Sequence, residues 1–148
     1  MTHPNHDLST VKELIKVLNA GVEFYTQAKK NIDNLILARI FEKNILDKAQ
    51  AVSELQKFIV ADEGKIEDDN ALSVELRESY TKVISLISTD KEHTYLSQLE
   101  EVEDKVLRKI DRALKQDLPP SCTLALNQIR SVMQANHDEM KGLKETTA

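Results

Sequence analysis

Four histidines and one cysteine are the strongest transition-metal ligands in the 148-residue chain, and His137 lies where carboxylates on a neighbouring helix can join it. A pair of iron or manganese ions inside a helical bundle is held by one Glu from each of two helices and a Glu-x-x-His pair from each of the other two. Two adjacent cations need bridging carboxylates as well as imidazoles. No Glu-x-x-His occurs here; the nearest spacings are Asp90-x-x-His93 and Gln134-x-x-His137, and a neutral amide is a poor substitute for a bridging carboxylate. A smaller site stays open. His137 can offer an imidazole, Glu103 or Glu100 a carboxylate, and Glu42 a further oxygen, a set that would bind one divalent ion of iron, manganese or zinc weakly. Acyl transfer and phosphate cradling have no support, since no Ser, His and Asp arrangement is evident and three glycines cannot build a glycine-rich loop. Cys122 lies on an apolar stripe near a helix start, which suits a small buried hydrophobe.

Helices must position these residues, because only three glycines and three prolines interrupt the chain. Thr10-Val-Lys-Glu13 has capping-box spacing and predicts a helix over 10–30 with the stripe Val11, Leu14, Ile15, Leu18, Val22 and Tyr25. Gly21 interrupts it at a cost of about 1 kcal/mol relative to Ala. Asp33 is the expected cap of a second helix over 33–61. Its stripe is Ala38, Phe41, Ile45, Ala49, Val52, Gln56 and Ile59, with Leu55 at the edge. Gly64 stops that helix, and a shorter amphipathic helix is predicted over 71–88. Thr89-Asp-Lys-Glu92 opens a helix over 90–118, carrying Leu99, Val102, Val106 and Ile110 and ended by Pro119-Pro120. Ser121 can cap a last helix over 121–144.

Helical phase sorts the polar residues. Glu23, Asp47, Gln50 and Glu54 fall opposite the apolar stripes and are expected in water. Phe24 is expected on the surface as a contact for a partner. Glu103 falls within ~40° of its stripe centre and Asn136 within the stripe of the last helix. Counted outward from Pro119-Pro120, these two stand at nearly the same height on antiparallel neighbours, flanked by His137 and Glu100. A carboxylate there must be paired or hydrogen-bonded. It forms either a polar core layer that fixes helix register or part of the reduced metal site.

Four long helices with a helical segment in the middle connection make an all-α fold, a ferritin-like antiparallel four-helix bundle with an extra short helix in the long crossover between the second and third helices. The length suits a single domain over 1–148. The net charge of −5, with no basic block, argues against nucleic acid as a partner, and no apolar run approaches the ~20 residues that span a bilayer. One cysteine allows no internal disulfide, and the first residues lack a basic start followed by an apolar stretch, so a cytoplasmic location is expected.

Gly21-Val-Glu-Phe-Tyr25, Glu100-Glu-Val-Glu-Asp104, Asp117-Leu-Pro119 and His137-Asp138 resemble the motifs of an uncharacterised bacterial four-helix-bundle family, domain of unknown function 2383. That family is grouped with ferritin-like proteins, and the resemblance runs in order along nearly the whole chain. It implies the same fold and no established activity. The chain departs from the pattern at Ala20, Phe24 and Val102, and it lacks a His-Arg-Gly-Trp-like stretch in its middle.

Without a complete di-metal site, the expected role is a non-catalytic interaction or structural protein with no required cofactor, working as a homo-oligomer or with a protein partner. The alternative is a metal-binding or redox protein with a reduced site around Glu103 and His137.

Overall fold

The computed structural model describes residues 7–64 and 91–146. The described residues form four helices and no strand: α1 (Ser9–Lys30), α2 (Leu35–Glu63), α3 (Lys91–Leu114) and α4 (Pro120–Thr146). The predicted helix 71–88 and the Thr89 cap lie outside the described residues.

The ends of the helices differ from the expected caps for local reasons. Thr10 does not cap α1: the helix begins one residue earlier, where the Asp7 carboxylate accepts the Ser9 amide at 2.9 Å. Asn34, rather than Asp33, caps α2; its Oδ1 accepts the amides of Ile36 at 3.0 Å and Leu37 at 3.2 Å, satisfying two donors a helix start leaves open. Gly64 ends α2 in the left-handed conformation, φ 77°, and its amide donates to the Val60 carbonyl. Ser121 is inside α4, not before it. Pro120 occupies the first position, where its missing amide costs nothing, and the Pro119 carbonyl accepts from Cys122 and Thr123.

Paired residues fix the directions of the helices. Lys12 meets Glu63 and Lys29 meets Glu42, so α1 and α2 are antiparallel. Asp111 with Arg130, and Glu100 with Lys144, make α3 and α4 antiparallel. Glu103 accepts from Tyr25, which sets α1 beside α3; since α1 is antiparallel to α2, α2 to α4 and α4 to α3, α1 and α3 are antiparallel as well. Lys43 reaches Glu139 and Lys48 reaches Met133, completing the ring through α2 and α4. Helix α3 therefore begins at the end where α2 begins. Gly64 and Lys91 stand at opposite ends, about 30 Å apart at 1.5 Å per residue of α1.

The core is aliphatic, with Leu14, Ile15, Leu18, Leu55, Leu99 and Ile110 fully buried and the ring of Tyr25 set edge-on to Phe41, centroids 5.7 Å apart. Cys122 is also fully buried, which pushes its thiol above the ordinary range. Phe24 is not a surface contact: it is fully buried, as are Val17 and Ala20, because α1 packs against both α2 and α3 and so buries a broader face than one stripe.

Helix α2 presents a face rotated from the expected one. Leu37, Phe41, Asn44, Lys48, Ala51, Leu55 and Ile59 are buried, while Ala49 is exposed and Ala38, Ile45, Val52 and Gln56 are half-buried. Reading the stripe from apolar residues alone leaves out Asn44 and Lys48, the two positions that centre the true face. The rotation also turns Asp47 and Glu54 from open water to the flank facing α4.

A buried charged layer as candidate functional site

Glu103 of α3, Lys48 of α2, Tyr25 of α1 and Met133 of α4 are all fully buried and meet in one layer near mid-bundle. Each helix contributes one side chain. Lys48 Nζ forms an ion pair with Glu103 Oε1, and the Tyr25 hydroxyl donates to the same oxygen at 2.6 Å. The ammonium also lies 4.7 Å from the centroid of the Tyr25 ring and 3.8 Å from Met133 Sδ. The cation is thus surrounded by a carboxylate, an aromatic face and a polarizable sulfur, which together replace its lost hydration.

Local sequence explains how the lysine enters. Helices α2 and α3 are diagonal in the ring and do not pack directly, so only a long side chain from α2 reaches Glu103. Its stem runs over Gly21, where an added Cβ would lie 2.9 Å from both Cδ and Cε of Lys48. The glycine that weakens α1 by propensity gives the lysine its channel. Asn44, one turn before Lys48, is buried with its amide donating to the Ile40 carbonyl at 2.9 Å.

Burial, then the charge of Glu103, raise the Tyr25 phenol well above its usual value. The hydroxyl therefore stays protonated and keeps donating. In the unfolded chain the phenol ionises near pH 10, so the stability from keeping it neutral is fully present below about pH 10 and lost as pH rises toward the folded value. The expected slope is up to about 1.4 kcal/mol per pH unit. Urea unfolding between pH 8 and 11 should show this slope reduced in Tyr25→Phe; an unchanged slope would assign the alkaline loss to other groups.

The remaining sequence candidates are dispersed. Asn136 is buried, but its partners are on α2: Lys43 donates to its Oδ1, and its Nδ2 donates to Asp47 Oδ2, both at 3.4 Å. No hydrogen bond joins it to Glu103, because Met133 stands between their networks, 4.0 Å from Asn136 Nδ2. Half-buried His137 has Nε2 at 2.7 Å from Asp104 and Nδ1 at 3.2 Å from Asp138. Glu100 accepts from Lys144 at 3.1 Å, and Glu42 accepts from Lys29 at 2.6 Å on the outer edge of the α1–α2 pair. Among the described residues no group of three or more His, Cys, Asp or Glu side chains is placed to share an ion.

Around Glu103 Oε1 stand a phenol and an ammonium, with a thioether beside the ammonium, and the Glu139 carboxylate is near enough to push the Tyr25 phenol up further. Lys48 already supplies positive charge to the carboxylate. Phase alone could not find Lys48: a lysine between Asp47 and Ala49 carries no apolar signal. What hinted at it was Gly21, an unexplained gap in α1 opposite an inward glutamate.

No curated protein matches the chain significantly. A family model described as Domain of unknown function (DUF2383) matches residues 7–116, a span that takes in α1, α2 and α3 and with them Gly21, Tyr25, Lys48 and Glu103. The match covers well over half of the sequence, and the chain belongs to the DUF2383 family.

Proposed function

We propose that this protein is a ferritin-like four-helix bundle that works as a non-catalytic interaction or structural protein in the cytoplasm, as a homo-oligomer or with a protein partner. Its interior holds a lysine paired with a glutamate in the mid-bundle layer. The observation that carries this reading is the Lys48–Glu103 ion pair, fully buried and closed by Tyr25 and Met133. Both contacts fall on Oε1, where a metal would first have to displace an ammonium from a dry site, while Oε2 is buried without a hydrogen-bond partner among the described residues. The antiparallel ring with α2 and α3 starting at one end supports the ferritin-like topology. The outer side of α2 supports association: Leu35, Leu46 and Val60 are 76%, 60% and 42% exposed and fall on one side of the helix with exposed Ala49.

Metal analysis of untagged protein, before and after loading with iron, manganese and zinc, tests it. The expected result is no stoichiometric metal, with Glu103→Gln and His137→Ala changing thermal stability only. Stoichiometric metal that disappears in both variants would replace this reading with the metal-binding or redox one.

A further inference from the structure

Helices α2 and α4 are the least closely packed of the four neighbouring pairs, and a groove of about 380 Å³ opens between them. Its apolar floor is Ala51, Ile129 and Met133, and Val132, 42% exposed, stands on the α4 side. The α2 side carries Asp47 and Glu54, seven residues or about 10 Å apart along the helix. Every charged residue that lines the groove among the described residues is acidic. Lys57 bridges Glu54 from outside the groove at 2.9 Å, and this pair is solvated enough to exchange readily.

We propose that the groove docks a basic amphipathic helix of a partner protein, with aliphatic residues seated on Ile129 and Val132 and cations one heptad apart facing Asp47 and Glu54. An apolar floor between two helices receives anchors at i, i+3 or i+4 and i+7. Two carboxylates seven residues apart match two cations at the same spacing on the ligand, and the pairing discriminates against acidic helices. This rests on the interaction-protein reading above and names the chemistry of the partner.

Fluorescence anisotropy of a labelled 14-residue Leu/Lys amphipathic peptide with the full chain tests the proposal, beside a Leu/Glu peptide of the same pattern. Glu54→Lys and Val132→Lys place a cation on opposite walls at positions that leave the core untouched, with thermal unfolding as the check on folding. Saturable Leu/Lys binding, weakened about tenfold or more by each variant, with no Leu/Glu binding, is expected. Absent binding, binding equal in the variants, or equal binding of both peptides would overturn it. So would an oligomer in sedimentation that either variant dissociates, which would make a second copy the occupant. Failure here in a metal-free protein leaves the interaction-protein reading standing, whereas stoichiometric metal removes that reading itself.

Discussion

Lys48→Met is expected to lower stability by about 3–5 kcal/mol, because it leaves the Glu103 carboxylate buried without its cation. That is a large part of the roughly 5–15 kcal/mol that holds an ordinary domain together. Both side chains are fully buried, so water cannot take over the ammonium's role. Urea unfolding followed by circular dichroism reads the loss; a change below about 1 kcal/mol would mean that the carboxylate finds solvent or a proton at little cost. Adding Glu103→Leu should recover most of the loss, since replacing both members of a buried pair by apolar groups removes the uncompensated charge. The two single variants and the double variant form a cycle that isolates the coupling. If the layer fixes register, the double variant should regain stability while binding a hydrophobic dye and losing amide dispersion in its NMR spectrum. A double variant as well ordered as the parent would deny the layer that role.

The second large effect is at Gly21, and its sign is expected to depend on Lys48. An alanine there brings its Cβ within 2.9 Å of Lys48 Cδ and Cε and 3.6 Å of Val102 Cγ1. The lysine stem cannot swing away freely because its far end is tied to Glu103 and lies against the Tyr25 ring. Overpacking of this kind costs about 1–3 kcal/mol, against a gain of about 1 kcal/mol in helix propensity. Gly21→Ala should therefore destabilise the parent by up to about 2 kcal/mol net. In a Lys48→Ala background, with no stem to meet, the same change should stabilise by up to about 1 kcal/mol. A destabilisation of equal size in both backgrounds would place the conflict at Val102 or in the helix crossing instead.

The charged layer explains why the site was only half legible in the sequence. Glu103 and Asn136 betrayed themselves by interrupting apolar stripes on α3 and α4. Their burial follows from phase, since each has apolar neighbours three and four residues away on the same face. Lys48 has apolar neighbours at the same spacings, Ile45, Ala51 and Val52, but a stripe drawn from apolar residues alone passes over a lysine. Its long stem also let it cross a diagonal that a shorter residue could not. His137, Glu100 and Glu42 share helical faces with plausible partners in projection. Their actual partners, Asp104, Lys144 and Lys29, depend on rotations of a few tens of degrees that periodicity does not resolve.

The helices themselves were determined by the sequence. Scarce glycine and proline and the Gly64 stop are local constraints on backbone dihedrals, and they act whatever the helices pack against; α3, by contrast, ends at Leu114, before the expected Pro119-Pro120 stop, and Pro120 opens α4. The width of the buried face on α1 and the rotation of α2 were decided only in the tertiary structure. Both depend on how many neighbours a helix has, and Phe24 is buried because α1 has two. The meeting of Tyr25, Lys48, Glu103 and Met133 belongs to the same class. Four helices bring together residues as many as 108 positions apart, and the period within one helix carries no information about which residue of another it meets.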